Sequence, residues 1–183
     1  MAWPDKAIGV GMKLKSSTDR YGAVAAAIHW LTALAIILLL ISGQIMGGPN
    51  LGTILPFHVA LGLLVGVLTL FRIVWWLFLD RQPAPVTGLS SAQHLAARIV
   101  HLGLYAAILV MVASGIAMVA LSGAAPQIFG GGVLPNFTAL PPFAAHDLVS
   151  KLLLVLALGH VGAALWHQLI KRDGLIGRMG FGS

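Results

Sequence analysis

Four long apolar runs, at 21–46, 53–79, 92–121 and 142–170, dominate the 183-residue chain. Each suffices for a helix crossing the roughly 30 Å hydrocarbon core of a bilayer, which takes about 20 residues. The breaks between them collect turn-forming residues. Gly47-Gly48-Pro49-Asn50 parts the first run from the second, and Pro83, Pro85 and Gly88 mark residues 80–91 before the third. A Gly- and Pro-rich stretch, 122–141, precedes the fourth. Ser17, Thr18 or Asp19 is placed to cap the first helix, and Pro142 suits the first turn of the last. The pattern predicts an all-α membrane protein, an antiparallel bundle of four transmembrane helices over 21–170. A segment 1–20 precedes it and a tail 171–183 follows.

Composition agrees with this reading. Hydrophobic residues make up 58% of the chain and charged ones only 9%, with a mean hydropathy of +0.94. Cysteine is absent, which excludes disulfides, Cys-ligated zinc, iron–sulfur clusters and covalent c-type heme. The first apolar run is too long for a cleavable signal, and no A-x-A-like site follows it.

The formal charge of +6 belongs to membrane topology, not to a nucleic-acid surface. Lys6, Lys13, Lys15 and Arg20 precede the first helix, Arg81 and Arg98 border the second connection, and Lys171, Arg172 and Arg178 follow the last helix. Residues 42–56 and 122–145 carry no charge at all. The positive-inside rule therefore puts both termini and the middle connection in the cytoplasm. Lys151, four residues after Asp147, is the one basic residue of the outer half.

Against this background four histidines stand out, because an imidazole inside an apolar helix is costly without a partner. Counted from the cytoplasmic ends, His29 and His160 lie at similar depths, within about 3 Å at 1.5 Å per residue. Counted from the outer ends, His58 and His146 also match. His146 and His160 are 14 residues apart, close to four turns, so they share one helix face about 21 Å apart. Two matched couples on facing helices suit two hemes, each held by two imidazoles: His29 with His160 for the inner heme, His58 with His146 for the outer one. Zinc fits less well, since each level offers two nitrogens and no thiolate or carboxylate to complete four ligands. Asp147 reads as a supporting or helix-start charge.

Arg72, 14 residues after His58, falls at the inner level with no acid in its own helix. A heme propionate would satisfy it; the alternative is snorkelling to the headgroups. Weaker signals accompany these. His94 and His101 share a face of the third helix, Trp75 and Trp76 suit an interfacial aromatic belt, and Gly62 and Gly66 permit close packing or room for a macrocycle.

The Ile28-His29-Trp30 start, the His58-to-Arg72 helix and the run His146-Asp147…His160…His167 resemble the bacterial cytochrome b561 family. So does the ending Lys171-Arg172-Asp173-Gly174…Arg178-Met179. The resemblance covers about Ser17 to Met179 and implies a four-helix cytochrome with two b hemes, ligated at the positions of His29, His160, His58 and His146. One class in that family is a superoxide oxidase that passes electrons from superoxide to ubiquinone. Similarity to it implies a quinone site near the inner heme, onto which Trp30 and His167 carry over. Family members often have His-His where this chain has His167-Gln168.

Three functions follow as expectations. The first is a cytochrome of the bacterial inner membrane linking an outer redox partner to the quinone pool, most sharply a superoxide:ubiquinone oxidoreductase. The second is an accessory subunit wiring a respiratory or dehydrogenase complex. The third is a non-redox transporter of metal or protons. The outer loops carry no Lys or Arg to steer an anion inward. They offer instead Ile128, Phe129, Val133, Leu134, Phe137, Leu140 and Phe143, a segment able to cap the outer heme, dock on a partner or pack at the interface.

Overall fold

The computed structural model describes residues 13–180. Lys6, one of the residues counted for orientation, and part of the 1–20 segment lie outside the described residues. The chain forms α1 (Ala23–Ile45), α2 (Leu51–Val74), α3 (Ser91–Ser122), a short α4 (Ala125–Gly130) and α5 (Pro141–Trp166). Wider turns of π type prolong α2 through Trp75–Leu79 and α5 through His167–Lys171. Four of these helices are long and apolar enough to cross a membrane. Their outward faces expose Leu, Ile, Val and Phe, as lipid-facing helices do.

Local chemistry explains most helix ends. Ser90 and Gln93 form a reciprocal capping box at the start of α3, and Gly123, at φ 63°, ends it in the left-handed conformation. Pro141 and Pro142 occupy the first turn of α5, where a missing N–H costs nothing. The start of α1 differs from expectation. None of Ser17, Thr18 and Asp19 caps it. The preceding chain doubles back, so the carbonyl of Lys13 accepts from Ala23 N–H (3.0 Å) and the Ser16 hydroxyl accepts from Gly22 N–H (3.0 Å). Only glycine fits at 22, because a Cβ there would lie 2.4 Å from the Leu14 carbonyl oxygen.

Packing runs in sequence: α1 against α2, α2 against α3, and α3 most extensively against α5. By contrast α5 packs closely against α3 and much less against α1 or α2. A slot is thereby left between α5 and the first two helices. Ala35, Val65, Ala107, Ile108 and Leu153 fill the middle of the bundle. Leu153 is seven residues from both His146 and His160, so this apolar layer separates the two histidine levels. Gly66 admits Val112 of α3, whose methyl would meet an added Cβ at 2.9 Å; Gly62 faces open space.

One end of the bundle carries residues 13–22, the 80–90 connection and 172–180, and is called the basic end below. The opposite, apolar end is covered by α4. There Ala124 and Ile128 are buried against Leu55, with Leu134 and Phe137 packed around them. Phe129 and Val133 of the same segment stay exposed, Val133 at 92%.

Candidate functional site

The structure brings the four histidines together as two couples. His29 and His160 face each other with ring centres 6.2 Å apart, and His58 and His146 do so at 6.3 Å. A metal bonded to both rings at about 2 Å per nitrogen would set their centres about 6.3 Å apart, once each ring's own radius is added. Both couples have that spacing. Among the described residues no three His, Asp or Glu side chains converge on a metal position, so each couple would need a further group to complete the coordination.

At the apolar end the rings are held by serines. The Ser42 hydroxyl meets His58 Nδ1 at 2.7 Å, and the Ser114 hydroxyl meets His146 Nδ1 at 2.9 Å. Each hydroxyl has one proton and donates it to a carbonyl of its own helix, of Leu39 (3.0 Å) or Val110 (2.7 Å). The oxygen is left to accept, so Nδ1 carries the ring proton and the Nε2 lone pair is free. That is how metal-binding imidazoles are usually fixed. Gly43 and Gly115 follow the two serines, and an added Cβ would just touch His58 (3.8 Å) and His146 (3.6 Å). A cavity of about 960 Å³ opens beside this couple, lined by Gly62, Met111, Gly115, Phe129 and Phe137 among others. It lies at the upper end of the roughly 300–1,000 Å³ range of cofactor sites.

The couple at the basic end has a charged surround. Arg72 Nη1 donates to His29 Nδ1 at 3.0 Å, since a guanidinium has nothing to accept with. A neutral His29 ring therefore carries its proton on Nε2, and binding a metal through Nε2 would require this contact to part. The guanidinium also lies 5.8 Å over the ring of Tyr105. Its Nε is buried without a partner, and among the described residues no carboxylate pairs with it. A half-buried cation with a spare donor beside a histidine couple suits an anionic group such as a heme propionate. His101 of α3 lies edge-on to His160, at 5.2 Å.

Nearer the surface, three segments are tied together at the basic end. Arg178 donates to the carbonyls of Asp19 (2.8 Å) and Ala84 (2.6 Å), while its own carbonyl accepts from Tyr21 N–H. Trp30 gives its indole N–H to the Met179 carbonyl at 2.9 Å. Asp80 accepts from the Ser16 hydroxyl (2.8 Å), the Ser16 N–H and the Trp75 indole (3.1 Å). Partial burial raises the Asp80 pKa, but these hydrogen bonds, led by the Ser16 hydroxyl, outweigh it and hold the carboxyl below its usual range. His167 pairs with Asp173, its Nδ1 lying 2.5 Å from the carboxylate. Asp147 and Lys151 form an ion pair of 2.7 Å at the apolar end, both well exposed. His94 joins none of these groups.

Ser42, Ser114, Tyr105 and Asp173 were missed by sequence reasoning. A faint signal existed for the serines: Ser42-Gly43 and Ser114-Gly115 are Ser-Gly pairs inside apolar helices, at the depth of His58 and His146. The dipeptide alone does not discriminate, since Ser122-Gly123 only ends α3.

The family follows from comparison with known proteins. A sequence model of the family described as prokaryotic cytochrome b561 matches residues 20–182. Cytochrome b561 homolog 2 of Escherichia coli (strain K12) is 27% identical over 185 residues, spanning 92% of this chain and 95% of that protein. Cytochrome b561 homolog 1 of the same organism is 27% identical over 172 residues, spanning 88% and 97%. No solved structure matches the chain significantly. The family match extends over nearly the whole length and takes in every helix of the bundle: the chain belongs to the prokaryotic cytochrome b561 family, membrane cytochromes of b type.

Proposed function

We propose that this cytochrome holds two b hemes and moves electrons across the bacterial inner membrane, between a redox partner on the outer side and the quinone pool. The spacing of both histidine couples, 6.2 and 6.3 Å, carries the reading. His29 and His160 would hold the inner heme at the basic end, His58 and His146 the outer one, and Arg72 a propionate of the inner heme. Bound there, a heme supplies reversible one-electron chemistry at iron. The chain's own residues do the rest. Ser42 and Ser114 orient two ligands, the central layer around Leu153 keeps water out between the levels, and α4 covers the outer cavity. By the positive-inside rule the basic end faces the cytoplasm, with residues 1–20 and 171–183 on that side of the 21–170 membrane domain. Quinone would be met there, near Trp30 and His167. The Trp30 N–H is already given to Met179, which leaves His167 as the stronger candidate.

Superoxide with ubiquinone as acceptor is the sharpest version of the donor side. The second reading, an accessory subunit of a larger complex, draws support from two observations. Lys151 is neutralised by Asp147, which weakens any steering of an anion. Phe129, which lines the outer cavity, stands exposed, as does Val133 of the same segment.

A reduced-minus-oxidised spectrum of the purified protein should show low-spin b-type heme at two per chain; absence of that signal refutes the proposal. Isolated protein under a superoxide flux should reduce ubiquinone. A rate equal to that of a heme-free control leaves the subunit reading in possession of the field.

A further inference from the structure

Below α5 the chain makes a reversal that helical continuation cannot provide. The wide turn His167–Lys171 leads into Arg172 at φ 54°, a conformation that side chains seldom adopt, and Gly174 follows at φ 71°. Asp173 is thereby returned to the residue six positions before it. Its N–H bonds the His167 carbonyl (3.4 Å), one carboxylate oxygen accepts from Leu175 N–H (3.2 Å), and the other lies 2.5 Å from His167 Nδ1. The imidazole is largely covered, its side chain 13% exposed, while the carboxylate reaches water at 28%. Hydrogen bonding from His167 is the main cause that holds the Asp173 carboxyl below its ordinary range. At neutral pH it is therefore a carboxylate, able only to accept.

We propose that Asp173 is a positioning residue for proton exchange: it keeps a proton on His167 Nδ1 and leaves Nε2 as the atom that exchanges a proton with quinone. This rests on the quinone reading above. A quinone becomes a quinol by gaining two electrons and two protons. The electrons come from the outer-side donor through the cytochrome. Nε2 first takes a proton from the cytoplasmic solvent, giving the doubly protonated ring, and passes it to a quinone oxygen; solvent supplies the second proton at the other oxygen. The neutral ring left behind keeps its proton on Nδ1, the nitrogen facing the carboxylate, so donation leaves the His167–Asp173 hydrogen bond in place. Without Asp173 the ring would share its proton between both nitrogens and lose a fixed orientation.

The test uses full-length holoprotein, reduced and mixed with ubiquinone-1. Asp173→Asn keeps an oxygen for Leu175 N–H but removes the charge. It should cut kcat about tenfold, with KM and heme spectra unchanged, and His167→Gln should cut kcat by at least as much. A merely structural role would not move the tautomer, which ¹⁵N NMR of histidine-labelled protein reads directly. His167 should carry its proton on Nδ1 in the parent protein and a mixture in Asp173→Asn. A neutral parent ring whose single proton sits on Nε2 overturns the proposal even if the variant fails to fold. Wild-type turnover by Asp173→Asn with slow turnover by His167→Gln removes the positioning role and leaves the quinone reading standing. Wild-type turnover by both removes the quinone site at His167, and the proposal with it.

Discussion

The two histidine couples have the same spacing and opposite surroundings. At the apolar end both rings lean on serine hydroxyls that are themselves tied to helix carbonyls, so the surround is uncharged and each Nδ1 is hydrogen-bonded. At the basic end one ring meets the Arg72 guanidinium and the other lies against His101, with Tyr105 close by. The first surround fixes geometry. The second adds positive charge in a low dielectric, where an incoming electron is stabilised and an anion has a seat. One bundle thus offers a site set by orientation and a site set by electrostatics.

The largest test of that contrast is loss of a ligand. His160→Ala should halve the heme content, measured as pyridine hemochrome, and lower thermal stability. The vacated slot between α5 and the first helices forfeits apolar contact on the order of 3–5 kcal/mol. His58→Ala should spare the inner heme instead. Full heme content in His160→Ala would mean that His101 can take over the ligand position.

Removing an orienting serine should cost less. Ser114→Ala should weaken heme retention at the outer site by about tenfold in a transfer assay to apomyoglobin and leave the inner site unaltered. Equal losses at both sites would show that the hydroxyl supports the bundle and not the ring.

Arg72→Gln isolates the electrostatic half of the comparison. Taking away a cation disfavours the reduced state, so a potentiometric titration should show the inner heme's potential fall by tens of millivolts while the outer one stays put. An unchanged inner potential would place Arg72 with the headgroups.

The smallest effect concerns acid. The Asp80 carboxyl is held below its unfolded value, so its tie to Ser16 is present above about pH 4 and disappears as pH falls through the lowered native value. Limited proteolysis should find residues 13–22 protected at pH 6 and cut faster near pH 3. In Asp80→Asn the fast cutting should appear at both.

The span count, the charge asymmetry and the depth of each histidine follow from local rules: about 1.5 Å of rise per residue, 3.6 residues per turn and the thickness of a bilayer. A helix is a ruler, so residues along it are placed by counting alone, and His146 and His160 share a face for that reason. Which group meets each ring was decided only in the folded chain. Ser42 reaches His58 across a helix boundary, and Ser114 reaches His146 from a helix outside both histidine couples. Gly22 is required because distant backbone turns back onto it. Asp173 meets His167 through a left-handed reversal at Arg172, a spacing of six that no regular helix brings together. Counting works where each residue's position depends on its neighbours alone; hydrogen-bond partners depend on how separate segments come together, which no local period records.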